Sequence, residues 1–384
     1  MRFFKNVTVY VGGKGLQKRN VYFGEKIEKI TRFAWHKADE ISLPEDAIVL
    51  PGFIDQHIHG AGGSDAMDGT VADLKIIAEA IAREGTTGFL ATTMTQSKGS
   101  ILKALSAVKE YRGEEQSGAR LLGVHLEGPF ISAKYRGAQP LEYIALPDVD
   151  VFKEYNEASG DAIKIVTLAP ELEGAKPLVE YLTEVGITAS IGHSDAGYES
   201  IADAVKLGAG NVTHTYNAQR ALHHRELGVV GSAMLIDELN CEMIADTVHV
   251  SVPAMKMLVK SKSKDKLTLI TDAMRAKGLP DGESELGGQR VYVKNGEARL
   301  EDGTLAGSVL QMNRAIQNMV TKVGMALTEA VDCASLNPAK ALGIDGECGS
   351  LNVGKRADFA VLDKNFDVVL TVQGGKIIYK KDKP

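Results

Sequence analysis

Eight short apolar runs that alternate with helix-period segments constrain this chain more than any other feature of its sequence. The runs cover residues 53–57, 87–92, 121–126, 163–168, 188–192, 211–214, 241–245 and 267–271. Most gaps between them hold an amphipathic segment, such as 71–83, 101–111, 176–185 or 200–207. Strands that are apolar throughout need cover on both faces, and helices in the gaps supply it. Eight such units predict an α/β fold built as a closed (β/α)8 TIM barrel. A doubly wound open sheet is the alternative, but it calls for a Gly-rich phosphate loop after the first strand. Here histidines follow that strand instead.

Both ends of the chain read differently. Residues 1–50 break into short strand-like pieces with Gly12, Gly13, Gly15 and Gly24 at the turns. Residues 357–363, 368–372 and 376–379 behave alike, with Gly354, Gly374 and Gly375 between or beside them. This pattern predicts a small β-sandwich domain from residues 1–50 plus 345–384, flanking a barrel over residues 51–344. Helices are expected from about Ser308 to Lys322 and over 327–334, with the barrel ending near residue 340.

Composition narrows the function classes. Lys plus Arg number 44 against 50 Asp plus Glu, for a formal net charge of -6, so nothing favours nucleic acid as a partner. No apolar run reaches the roughly 18 residues a membrane span needs, and the N-terminus has no apolar stretch typical of a signal peptide. The three cysteines, Cys241, Cys333 and Cys348, lack metal or disulfide spacing and read as reduced thiols of a cytoplasmic protein.

Barrel enzymes carry their reacting groups at the C-terminal ends of the strands. In this chain those ends read Asp55-Gln56-His57-Ile58-His59, His125-Leu126-Glu127-Gly128-Pro129, Gly192-His193-Ser194-Asp195, Thr213-His214-Thr215-Tyr216-Asn217 and Thr271-Asp272-Ala273. Side chains alternate along a strand, so His57 and His59 point to one side and can share a cation. Glu127 can bridge to a second position completed by His193 and His214. Asp272 arrives from the last strand, next to the first in a closed barrel. A lone histidine at a strand end is more often a hydrogen-bonded structural residue. Four histidines, a glutamate and an aspartate at the same end predict a site for one or two divalent ions, with Zn, Fe and Mn all admissible. His125 shares the face of Glu127 one layer deeper, as a core or supporting histidine.

These strand ends resemble those of the amidohydrolase superfamily. Many members bridge their ions with a modified lysine at the end of strand 4, but Lys164 stands at the start of that strand, so Glu127 is the better bridge. With that substitution, the runs His125-Leu126-Glu127-Gly128-Pro129-Phe130 and Thr213-His214-Thr215-Tyr216-Asn217-Ala218 resemble the N-acetylglucosamine-6-phosphate deacetylases. So do Asp246-Thr247-Val248-His249 and Leu305-Ala306-Gly307-Ser308, and the resemblance covers essentially the whole chain. Pro51-Gly52-Phe53-Ile54-Asp55 is shared much more widely.

The resemblance implies hydrolysis of an acetamide on an amino-sugar phosphate. Water activated by the metal attacks the acetyl carbon, while Asp272 takes the water's proton and then passes it to the departing amine. It further implies a substrate site from Ala138, Gln139, Asn217, Ala218, Arg225, His249, Leu305, Ala306 and Gly307, with Arg225 and His249 on the phosphate. Gln139 stands where some relatives have a histidine that polarises the substrate carbonyl. Phosphate ligands in this family can come from a neighbouring subunit, which implies a homodimer. His223 and His224 read as surface neighbours of Arg225. Rival readings are a deacetylase for N-acetylgalactosamine 6-phosphate, a D-aminoacylase, or a barrel retained only for binding, which would be expected to have lost Asp272 or several ligands.

Overall fold

The structure is a computed structural model that describes residues 1–35 and 37–382. Its centre is an eight-stranded parallel sheet: β1 (Phe53–Ile58), β2 (Thr86–Thr92), β3 (Arg120–Glu127), β4 (Ile163–Leu168), β5 (Thr188–Ile191), β6 (Asn211–Val212), β7 (Asn240–Ile244) and β8 (Leu267–Ile270). Each strand pairs with its sequence neighbours, in the order β8 back to β1. Just past the strand ends the circle is completed. The Asp272 N–H donates to the His57 carbonyl at 2.8 Å, and the His59 N–H donates to the Ala273 carbonyl at 2.9 Å. Gly60 makes this closure feasible, because a Cβ there would stand 2.3 Å from the Ser64 carbonyl oxygen and 2.9 Å from the Arg275 nitrogen.

Every residue of β1, β2, β7 and β8 is buried. That is the expected consequence of packing helices outside and side-chain layers inside. The intervening helices bury one stripe each: Val71–Ala82 turns Leu74, Ile77, Ala78 and Ile81 inward, and Lys98–Arg112 turns Ile101, Leu105 and Val108 inward.

Both chain ends meet in a second sheet. Strands Arg2–Val11, Gly15–Phe23, Ile27–Thr31 and Ile48–Pro51 join Phe359–Leu362, Val368–Gln373 and Lys376–Lys380, with the pair Asp39–Glu40 on the side. Phe23 and Phe359 lie three strand steps apart, about 14 Å in a flat sheet. Their ring centroids are 4.9 Å apart, so the sheet curls over its own apolar core of Phe4, Val21, Phe359 and Leu370.

Two features depart from the sequence expectations. The helix foreseen from Ser308 begins at Met312 and widens into a π turn at Met319–Val323. Ser308 is held extended instead, its N–H donating to the Asp272 carbonyl at 2.8 Å. A three-stranded antiparallel sheet, Gly282–Leu286, Gln289–Lys294 and Glu297–Leu300, follows β8 and was not foreseen. Its turns are Gly287-Gly288 and Asn295-Gly296, all at positive φ, the pairs that two-residue hairpins favour. It packs Leu286, Val291 and Ala298 on Met94 and Met274 at the barrel mouth.

Candidate active site

The predicted ligands converge at one mouth of the barrel, and all six are buried. His57 lies within β1 and His59 just beyond it, while Glu127 is the last residue of β3. His193, His214 and Asp272 each stand two residues past the end of a strand and take positive φ values of 48°, 26° and 48°. Left-handed backbone is disfavoured for side chains of this size. Adopting it turns the chain sharply at the strand end and aims each side chain into the mouth.

Glu127 joins two groups. Its Oε1 stands 3.3 Å from His57 Nε2, 3.4 Å from His193 Nε2 and 3.1 Å from His214 Nε2. Its Oε2 stands 3.3 Å from His59 Nε2. Asp272 Oδ1 lies 3.3 Å from His57 Nε2 and 3.2 Å from His59 Nε2. Ligand atoms about 2.0–2.1 Å from a tetrahedral zinc are roughly 3.3 Å from one another. The observed spacings match that figure.

The tautomers fit an ion as well. His57 Nδ1 faces Glu242 Oε2 at 3.1 Å, His59 Nδ1 faces the Thr92 carbonyl at 3.2 Å, and His193 Nδ1 faces the Tyr135 carbonyl at 2.9 Å. Each acceptor fixes the proton on Nδ1 and leaves Nε2 as a lone pair directed at the cluster. His57 Nε2 is buried with no hydrogen-bond partner, and the Nε2 atoms of His193 and His214 face each other at 3.1 Å. Burial alone would push Glu127 up, but the facing imidazoles of His57, His193 and His214 hold it well below the usual carboxylate range, so it is the anion of the cluster. An anionic bridge among imidazole lone pairs suits one or two ions such as Zn, Fe or Mn.

A cavity of about 200 Å3 opens on this cluster. His59, Glu127, His193, His214 and Asp272 line it, together with Ala138, Gln139, Asn217, Ala218, His249, Leu305 and Gly307. His57 lies beneath the floor. Two predicted substrate residues stand elsewhere. Ala306 is fully buried with its N–H on the Ala298 carbonyl, because it packs into the small sheet's core. Arg225 is exposed on the rim loop, its Nη1 2.7 Å from Nε2 of the exposed His224. Gln139 lines the cavity but donates from Nε2 to Glu127 Oε2 at 2.8 Å, while its Oε1 accepts from the Thr95 N–H at 2.7 Å. His125 sits one layer deeper as expected, its ring 4.5 Å from that of His57.

Sequence reasoning missed Asp246 and Glu242 as partners of the site. Asp246 Oδ2 lies 2.6 Å from His249 Nδ1, which turns the other ring nitrogen away from this bond. Glu242 is fully buried within β7. A carboxylate inside an apolar run was the available signal for it.

Comparison with known proteins agrees with this geometry. The model of the amidohydrolase family matches residues 48–378. The chain is 44% identical over 369 residues to the N-acetylglucosamine-6-phosphate deacetylase of Bacillus subtilis (strain 168), covering 94% of this chain and 93% of that one. It is 38% identical to an N-acetylgalactosamine-6-phosphate deacetylase of Escherichia coli O157:H7, over 84% of this chain and 85% of that one. The crystal structure of N-acetylglucosamine-6-phosphate deacetylase from Thermotoga maritima superposes with a TM-score of 0.89 at 35% identity, covering 99% of this chain and all of the other.

Proposed function

The chain belongs to the amidohydrolase family, and we propose that it hydrolyses N-acetylglucosamine 6-phosphate to glucosamine 6-phosphate and acetate. The observation that carries this reading is the convergence of His57, His59, Glu127, His193, His214 and Asp272 at ion-ligand spacing at and just beneath the floor of one cavity. The 44% identity to a relative of that activity supports the choice of substrate.

In this reading His57, His59, Glu127 and Asp272 hold one divalent ion, and Glu127, His193 and His214 hold another. Bound there, the ions supply Lewis acidity, which lowers the pKa of water and polarises an acyl oxygen. Asp272 lines the cavity and carries the proton: it takes one from the attacking water and returns it to the amine nitrogen as the C–N bond breaks. His249, oriented by Asp246, and the loop of Asn217 and Ala218 bind the sugar phosphate. Arg225 lies outside the cavity of its own chain, which suits a phosphate ligand donated to a neighbouring subunit of a homodimer. Three buried, unpaired cysteines suit the reducing conditions of the cytoplasm.

The Escherichia coli relative keeps the galactosamine epimer as a second reading. Acetate release should be measured on the metal-loaded protein with N-acetylglucosamine, N-acetylgalactosamine and their 6-phosphates. The proposal expects the highest kcat/KM for N-acetylglucosamine 6-phosphate. A preference for the galactosamine phosphate would transfer the assignment to the other epimer, and no release from any of the four would end the deacetylase reading.

A further inference from the structure

Beneath the candidate ions the barrel interior is polar. His125 directs Nδ1 at the Gln56 carbonyl, 3.1 Å away, and Nε2 at Thr167 Oγ1, 2.7 Å away. Thr167 Oγ1 meets Thr213 Oγ1 at 2.7 Å, and Thr213 meets Ser190 Oγ at 2.5 Å. Asn211 Nδ2 donates to Ser190 Oγ at 2.8 Å and to Glu242 Oε1 at 3.1 Å. The belt therefore ends on a carboxylate that is fully buried.

Glu242 accepts from four donors at once. Gln56 Nε2 (2.8 Å) and Asn211 Nδ2 (3.1 Å) reach Oε1, while His57 Nδ1 (3.1 Å) and the His214 backbone N–H (3.3 Å) reach Oε2. His57, His125 and Glu242 could themselves suggest an ion site. His125 has both nitrogens engaged, however, so the trio supports the site above it.

We infer that Glu242 is a positioning residue that couples the two ion positions, fixing the tautomer of His57 for one and the strained backbone of His214 for the other. The two links share a single oxygen. The His57 ring must keep its proton on Nδ1 to donate there, which leaves Nε2 free to face Glu127 and Asp272. His214 takes a φ of 26°, and its N–H bond to the same Oε2 holds that turn. Only a carboxylate presents acceptors to all four donors. A glutamine would aim an NH2 group either at His57 and His214 or at Gln56 and Asn211.

This inference rests on the proposed reading that the cluster binds divalent ions. The test is Zn2+ affinity by chelator competition on wild-type protein, Glu242→Gln and Glu242→Asp, with the tautomer of His57 read by nitrogen-15 NMR of the Zn2+-loaded proteins. Glu242→Gln should weaken Zn2+ binding about 10–100-fold, at both positions where two are resolved, and move the His57 proton signal. Glu242→Asp keeps the charge on a shorter arm and should lie between; it carries the test if Glu242→Gln fails to fold. Unchanged Zn2+ affinity in folded variants, or loss at one position alone, would overturn the coupling while leaving the metal reading standing. Wild-type protein that takes up no Zn2+, Mn2+ or Fe2+ would overturn the metal reading itself and this inference with it.

Discussion

Lys277 Nζ and Glu84 Oε1 lie 2.5 Å apart, and their side chains are only 3% and 2% exposed. Nearby, Asp55 Oδ2 accepts from Thr271 Oγ1 at 2.5 Å, and Lys277 Nζ stands 3.5 Å from that same hydroxyl. Lys277 is thus a cation between two buried carboxylates, one of them holding the residue before Asp272. Burial raises Glu84 to about 7 even with Lys277 beside it. Removing the cation leaves charge without a partner, which typically destabilises by about 3–5 kcal/mol.

Lys277→Met should therefore melt well below wild type at pH 8. The sign of the pH effect follows from the raised value. An acid that holds its proton more tightly in the fold stabilises the fold on the acid side, and that contribution fades as pH rises through about 7. The deficit of the variant should shrink at pH 6, where Glu84 takes up a proton. Thermal unfolding at the two pH values checks this. A deficit equal at both would mean that Glu84 is not the group left uncompensated.

Asp272 separates chemistry from metal binding. Its Oδ1 is shared between His57 and His59, whereas Glu127 touches all four histidines. Asp272→Asn keeps the shape and one acceptor oxygen but loses the ability to carry a proton. kcat should fall roughly 10²–10⁴-fold or more while metal content per subunit stays near that of wild type. Steady-state kinetics paired with metal analysis decide the matter, and near-normal turnover would remove Asp272 from the proton path.

The barrel and the meeting of the six candidate side chains at its mouth were legible for a physical reason. Buried parallel strands are apolar throughout, and a polar residue at a strand's C-terminal end has one mouth to face. Alternation alone put His57 and His59 on one side, and both meet Asp272. Glu242 was not legible, because whether a charge in an apolar strand faces inward depends on register with β6 and β8. The small sheet over 282–300 was announced by Asn295-Gly296 but lay outside the eight-unit pattern. Ser308 looked helical by period, and tertiary pairing with Asp272 overrode it. Arg225, exposed on the rim against His224, reaches a substrate phosphate only in the proposed homodimer, where it would serve the partner's cavity.

Arg225→Ala tests that partner. The guanidinium is exposed and touches no candidate ligand, so its loss should leave metal content and fold intact. A charge-assisted fork on phosphate makes a rise in KM of about 10–100-fold reasonable for the phosphorylated sugar, with little change for the unphosphorylated one. Mixing Arg225→Ala with Asp272→Asn protein should restore part of the activity if the arginine acts across subunits. No restoration would confine it to its own chain, and an unchanged KM would discard the phosphate role.

The pair of His249 and Asp246 should govern how substrate binding responds to pH. Burial pulls His249 down, but the hydrogen bond and charge of Asp246 outweigh it and hold the imidazole above its ordinary value. A raised histidine stays cationic further into the neutral range, so attraction for a phosphate is full at low pH and lost as pH rises through the raised value. Above about pH 7 the phosphate is already largely a dianion, which leaves His249 as the changing partner. KM for the phosphorylated sugar should therefore climb with pH in wild type, over a range above that of an ordinary histidine. In Asp246→Asn burial acts without that opposition, so the climb should begin at lower pH than in wild type, and KM should exceed the wild-type value across the neutral range. The unphosphorylated sugar should show neither effect. A KM profile that ignores Asp246→Asn would mean that His249 meets its ligand as a neutral ring.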